Sequence, residues 1–359
     1  MPDMDAILRA AGKAIGAELH DPADLGGSSR SIVLRCRTSG GSSVIVKAFG
    51  TEPDELRGFT AEAAGLSLRV AGPELLAVDP SARLLVMADL GAMPTLADVL
   101  LGDDPYAAVA GLLAWARGLG SIAVEAGHRR ADLAQWWATY DKGMPSKGDD
   151  PWIARNAATL LTLLSEAGIA VPPGLGDELA RIGTAGGEEY PAFTPGDTCP
   201  DNNLITPDGL RLIDFESACY QSVFMTAAYC RMPFSSCWCV FALPPVLAEE
   251  IERAYRAEVI ALHPALADDT VWRDGMRRAI AVWTVDGTVR LLSRTAEDGP
   301  MHSIRRPVPT RRQLLRHRWE MASTLVEFPA LAETMRLLLR DVAGGWDVPP
   351  LPGYPAFEG

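Results

Sequence analysis

Apolar and polar positions change their period along this chain. Near the N-terminus Ile7, Leu8, Ala11 and Ile15 share one face at helical spacing, which predicts a short helix over residues 3–20. Residues 31–37 (SIVLRCR) and 43–49 (SVIVKAF) read as strands around the turn TSGGS, the pattern of a β-hairpin. A helix carrying Phe59, Glu62, Ala63 and Leu66 is predicted over 54–70, then a strand pair over 75–78 and 84–87, interrupted by ADLG at 88–91. From Thr95 onward helical spacing dominates, over 95–101, 105–126, 130–143, 151–165 and 174–184. It returns over 245–260, 268–284 and 310–340, the last opened by Thr310 with Gln313 at capping-box spacing. Between the helical blocks, 202–206 and 210–215 read as two short strands joined by Thr-Pro-Asp-Gly.

This order predicts an α+β fold of two lobes. A small β-rich lobe occupies residues 1–90, with a hinge near 88–94. A large helical lobe follows over 91–345 and holds one acidic β-hairpin. Residues 346–359, rich in proline and glycine, are expected to be irregular. The 359 residues suffice for two lobes, and 48% apolar with 22% charged residues marks a globular chain. A net charge of -13 argues against nonspecific nucleic-acid binding, which needs clustered cations. With no long apolar run and no basic-then-apolar leader, the expectation is a soluble cytoplasmic protein without membrane contact, monomeric or homodimeric. Cys36, Cys199, Cys219, Cys230, Cys237 and Cys239 lack zinc-knuckle spacing and are expected to be ordinary thiols in a reducing compartment.

The candidate chemistry lies in FTPGDTCPDNNLITPDGLRLIDFE, residues 193–216. Asp197 and Asn202 share a loop that runs into the first strand, and Asp214 closes the return strand beside Asn202. Carboxylate and amide oxygens are hard ligands suited to Mg²⁺, and a further carboxylate free of the metal can take a proton from an attacking hydroxyl. Phosphoryl transfer needs both, plus positioning. In the small lobe, Gly26, Gly27, Ser28 and Ser29 form a turn whose backbone N–H groups could cover phosphates. Lys47 in VIVK could offset phosphate charge, and Glu62 in the next helix could pair with Lys47 and aim it.

Gly-rich turn, strand lysine, helix glutamate, Asp-x4-Asn and a later Asp follow the order of the protein-kinase-like fold. At these residues the chain resembles the aminoglycoside phosphotransferase and choline kinase-like family. The matching motifs are Pro195-Gly196-Asp197-x4-Asn202, Ile213-Asp214-Phe215-Glu216, the helix segment FTAEAA and LLVMADLG at 84–91. The resemblance covers residues 20–220 and is only architectural beyond. It implies a bilobal protein-kinase-like fold, ATP or GTP with Mg²⁺ as cofactors, and a small-molecule hydroxyl acceptor. It implies Asp197 as catalytic base, Asn202 and Asp214 as metal ligands, and Lys47 on the α/β-phosphates. Met87, Ala88, Asp89 and Leu90 would form the adenine-binding hinge. The family's loop histidine is replaced by Pro195, which cannot donate the hydrogen bonds an imidazole can. The function implied is O-phosphotransfer to an aminoglycoside or other antibiotic, a sugar or an amino alcohol. The alternative is a catalytically weak nucleotide-binding scaffold.

Other features stay open between two readings. Glu216 is a supporting contact at the metal site or a salt-bridge partner for an arginine of the large lobe. Trp136, Trp137 and Tyr140 form a platform for a ring or cation, or lobe packing. The aromatic and sulfur-rich run 229–239 walls the acceptor site or fills the core. Glu249, Glu250, Glu252, Asp268 and Asp269 attract a cationic substrate or are ordinary surface acids. Arginines 305, 306, 311, 312, 316 and 318 grip an anion or flank a solvated helix.

Overall fold

In the computed structural model, which describes residues 3–26, 30–141, 143, 146, 148–185, 189–206, 209–232, 234 and 237–358, helix α1 (Met4–Ile15) ends where Gly16 takes φ 68°. The chain turns there into strand β1 (Leu19–Asp24), which His20, Asp21 and Pro22 conceal from any alternation pattern. β1 lies at a sheet edge, where proline's missing N–H is tolerated. Strands β2 (Ser31–Thr38) and β3 (Ser43–Phe49) precede helix α2 (Pro53–Ser67), and β4 (Leu75–Asp79) and β5 (Leu84–Ala88) complete an antiparallel sheet ordered β1-β2-β3-β5-β4. Period two sorts the central strand. Val44, Val46 and Ala48 pack with Ile7 and Ala11 of α1 on the outer face, while Phe49 meets Phe59 of α2 on the inner face, the face that Lys47 shares.

The helical lobe begins with α3 (Leu96–Leu100), α4 (Pro105–Glu125), α5 (Arg130–Tyr140), α6 (Trp152–Glu166) and α7 (Leu175–Gly183). Helix α4 is long and apolar enough to cross a bilayer by composition, but here Leu112, Trp115, Leu119 and Ile122 are core residues. Two small antiparallel ribbons follow. β6 (Pro191–Thr194) pairs with the later β9 (Cys219–Ser222), enclosing the hairpin of β7 (Asn203–Thr206) and β8 (Gly209–Leu212). The hairpin's second strand stops at Leu212 rather than running to residue 215, because Asp214 adopts φ 72° and leaves extended conformation. β6 and β9 are four residues each, too short to announce a period.

Helices α8 (Val223–Ala227), α9 (Pro245–Val259), α10 (Asp269–Leu291), α11 (Arg311–Ala322) and α12 (Pro329–Asp341) complete the lobe. The single helix predicted over 310–340 is two, since Pro329 favours the first helical turn and disfavours helical backbone before it. The restart is capped from outside: buried Glu178 of α7 accepts from the backbone N–H of Ala330 at 3.0 Å and Leu331 at 2.8 Å. Among its described residues the C-terminal segment carries one short 3₁₀ turn, Pro355–Phe357, yet it is docked. Arg316 donates to the carbonyls of Val348, Ala343 and Trp346, and Tyr354 is fully buried with its hydroxyl on the Cys239 carbonyl at 2.8 Å.

Candidate active site

The inner face of the sheet meets the helical lobe at Lys47. Its Nζ lies 2.5 Å from Glu62 Oε2 of α2, 2.8 Å from Asp214 Oδ1 and 4.0 Å from Glu216 Oε2. The Phe49 ring sits 5.1 Å from the same ammonium. Helix α2 reaches the 214–218 segment because Gly65 has no side chain. A Cβ there would stand 2.7 Å from Ala218 Cβ and 3.1 Å from Phe215 Cδ1. Glu216 is further bound by Arg30, just beyond the glycine turn. That partner belongs to the small lobe, which corrects the expectation of an arginine from the large lobe.

Three carboxylates, Glu62, Asp214 and Glu216, thus face two cations, Lys47 and Arg30. Burial favours the neutral amine of Lys47, but the carboxylates outweigh it and hold the lysine protonated. Burial pushes Glu62 up to about 7, opposed by Lys47 and helped by Asp214. Glu216 is raised by burial and by Asp214, against the pull of Lys47 and Arg30. The surplus negative charge suits a divalent cation.

The loop between β6 and β7 presents the remaining candidates. Gly196 takes φ 92° and carries no Cβ, which would fall 2.3 Å from the Ser217 carbonyl oxygen. Asp197 Oδ1 accepts from Cys199 N at 3.2 Å, and the Asp197 carbonyl accepts from Asn202 Nδ2 at 3.3 Å. Asn202 thereby keeps its side-chain oxygen for a ligand. The Ile213 N–H donates to the Asn202 carbonyl at 2.9 Å, so Asn202 lies beside the turn that carries Asp214. An amide oxygen and a carboxylate on adjacent backbones, in an electronegative setting, fit Mg²⁺.

The hinge is anchored differently. Met87 is buried opposite Ile45 and Leu75, and Ala88 ends the strand opposite Val44. Asp89 accepts from Arg35 Nη2 at 3.0 Å, Ser43 Oγ at 2.7 Å and Gly91 N at 2.9 Å. Despite burial, these bonds hold its carboxyl below the ordinary range. The Asp89 side chain is therefore a peg between hinge and sheet. The Ile205 N–H donates to Pro94 O at 3.0 Å, tying the linker to the hairpin beside the candidate loop. Gly26 is exposed at φ 87°; Gly27, Ser28 and Ser29 lie outside the described residues.

The cysteine reading needs correction. Cys199 and Cys237 form a disulfide across a Cα–Cα distance of 5.5 Å, while Cys36, Cys219, Cys230 and Cys239 are buried thiols. The pair is 38 residues apart, with no local spacing to announce it. Cys237 and Cys239 lie in a loop, where the Cys239 N–H reaches Cys237 Sγ at 3.2 Å. The described residues of the 229–239 run are largely core, with Trp238 half-buried and donating to Asp201 Oδ2 at 2.6 Å.

Among the other open features, Trp137 is buried, and the exposed Trp136 stacks on Tyr140, whose hydroxyl meets Ser67 Oγ at 3.2 Å. The acids are partly committed: Glu252 binds Arg231 and Trp272, Asp268 caps α10, and Asp269 binds Arg256. Arg312, like Arg316, serves backbone carbonyls, those of Thr295 and Ala296.

No protein-family model matches the sequence, and no curated protein matches it. Solved structures do match. Amicoumacin kinase hAmiN, determined with AMP-PNP, Ca²⁺ and Ami, is 12% identical at TM-score 0.52, covering 92% of this chain and 97% of its own. Choline kinase from Cryptosporidium parvum is 12% identical at TM-score 0.50, covering 95% and 96%. A candidate fructosamine-3-kinase from Thermobifida fusca is 16% identical at TM-score 0.50, covering 94% and 100%. The chain shares its bilobal kinase-like α+β fold with them.

Proposed function

We propose that the chain is a small-molecule O-phosphotransferase using ATP or GTP with Mg²⁺. The observation that carries this reading is the Lys47 bridge, one ammonium joining Glu62 of the small lobe to Asp214 beside Asn202. On this reading residues 1–90 hold the nucleotide, residues 91–345 the acceptor, and residues 346–359 brace the large lobe. Lys47 meets the α/β-phosphates, kept in place by Glu62. Asp197 takes the proton of the acceptor hydroxyl as that oxygen attacks the γ-phosphorus and the nucleoside diphosphate departs. Asn202 and Asp214 would hold Mg²⁺, which supplies neutralisation of phosphate charge. Backbone groups of Met87 to Leu90 receive the base, since the Asp89 carboxylate is already engaged. The acceptor is an aminoglycoside or other antibiotic, a sugar or an amino alcohol, in line with the compounds after which the structural neighbours are named.

The test is acceptor-dependent consumption of ATP or GTP, with Mg²⁺, across a panel of such compounds. Asp197→Asn is expected to lower the rate by about 10²–10⁴-fold, the range for a general base, with nucleotide affinity retained. Nucleotide binding without turnover on any acceptor would favour the scaffold alternative, and no nucleotide binding at all would sink the kinase reading.

A further inference from the structure

We propose that the Cys199–Cys237 disulfide and the Trp238–Asp201 hydrogen bond form a redox-sensitive clamp that positions the candidate catalytic loop; the consequence for turnover rests on the phosphotransferase reading. The loop's own hydrogen bonds are local: the Gly196 N–H donates to Thr194 Oγ1 at 3.1 Å and Asn202 Nδ2 to the Asp197 carbonyl at 3.3 Å. Pro195 offers no hydrogen-bond donor, and Gly196 accepts a left-handed φ that adds no side-chain contact. Support comes from outside. Cys237 bonds to Cys199, and the next residue, Trp238, donates Nε1 to Asp201 Oδ2 at 2.6 Å. Two consecutive residues therefore grip the loop on either side of Pro200.

The clamp's base is fixed. The Cys239 carbonyl accepts from Tyr354 Oη at 2.8 Å, Ala242 N donates to Pro352 O at 2.8 Å, and the Phe241 and Tyr354 rings lie 5.0 Å apart. The Trp238 ring is flanked by Arg305 at 4.7 Å and His302 at 5.9 Å. Its jaw acts directly on the candidate base, because the Cys199 N–H is the donor to Asp197 Oδ1. A shift of Cys199 therefore reorients the carboxylate that takes the acceptor's proton. Cys199 and Cys237 are positioning residues in this scheme.

A dithiol opens the clamp by supplying two electrons and two protons; the S–S bond breaks, two thiols form, and the dithiol closes into its own disulfide. Cys239 and Cys230 are poor internal exchangers, since both are buried and burial pushes their thiols up. Reduction then leaves the loop held by Trp238, by Trp115 Nε1 on the Thr198 carbonyl at 3.3 Å, and by Asn203.

Mass spectrometry of unreduced protein, denatured and alkylated, should show four labelled cysteines, the thiols at 36, 219, 230 and 239. Labelling of all six would overturn the proposal. After dithiothreitol, amide hydrogen exchange over residues 196–203 should quicken about tenfold, and kcat should fall by a similar factor with nucleotide KM nearly unchanged. Re-oxidation should restore both, which mere damage would not. Cys199→Ser with Cys237→Ser should match the reduced protein and ignore dithiothreitol. Identical exchange in the two redox states would also overturn the clamp. A wild type that turns over no acceptor in either state counts against the phosphotransferase reading alone, because thiol count and exchange need no substrate.

Discussion

Lys47→Met is expected to lower phosphoryl transfer by about 10²–10³-fold and to destabilise the fold by about 3–5 kcal/mol. The second figure follows from burial, since the Lys47 and Glu62 side chains are only 7% and 2% exposed. Removing one partner strands the other's charge in a poorly solvated site. The stranded carboxylate has an escape, which gives the prediction a pH signature. Glu62 already titrates near 7, above its unfolded value, and loss of Lys47 raises it further. A group raised in the folded state contributes stability that is present below its unfolded pKa and lost as pH rises through its folded one. The variant should therefore differ least from wild type below about pH 7, where Glu62 is protonated in both folded states, and fall away as pH rises above it. Adding Glu62→Gln removes the stranded charge, so the double variant should regain most of the stability and lose the extra pH slope, yet stay inactive. Urea unfolding of metal-free protein at several pH values, beside steady-state kinetics, separates the two effects. Equal stability of the single and double variants across that range would show that Lys47 and Glu62 are not energetically coupled.

The parts of this site that could be read from sequence are those whose partners follow local rules. Lys47 lies at an inward position of a strand, and Glu62 in the helix that follows it, so their meeting needs only one strand–helix connection. Asn202 and Asp214 are brought together by a hairpin short enough for its turn composition to specify. Partners brought together by tertiary packing left no such trace. Arg30 and Glu216 are 186 residues apart, and Cys199 and Cys237 are joined by the packing of two irregular segments. Asp89 reads as a hinge residue from its position, but its commitment to Arg35 and Ser43 depends on the register of β2, β3 and β5. The helical lobe is least legible, because positions such as Trp136 and Trp137 differ in burial for reasons set by neighbouring helices. The same applies to the break at Pro329, whose cap is supplied by Glu178 from a distant helix.

Gly196→Ala should destabilise the protein by about 2–4 kcal/mol and cut kcat about 10²-fold, although it adds only a single methyl group. Two separate penalties meet at this position. The backbone sits at φ 92°, which an L residue with a side chain rarely adopts, and the new Cβ would lie 2.3 Å from the Ser217 carbonyl oxygen. That oxygen belongs to the backbone between Glu216 and Ala218, packed under α2, and cannot turn aside as a flexible side chain would. The strain must then pass into the loop, and its next residue is Asp197. Gly209→Ala separates the two penalties. Gly209 also has a positive φ, 108°, but a Cβ there meets nothing within 4 Å. It should show the conformational cost alone, about 1–2 kcal/mol, with kcat retained. Chemical denaturation and acceptor kinetics on the two variants decide the matter. If Gly196→Ala loses no more activity than Gly209→Ala, close packing against Ser217 does not set the position of Asp197.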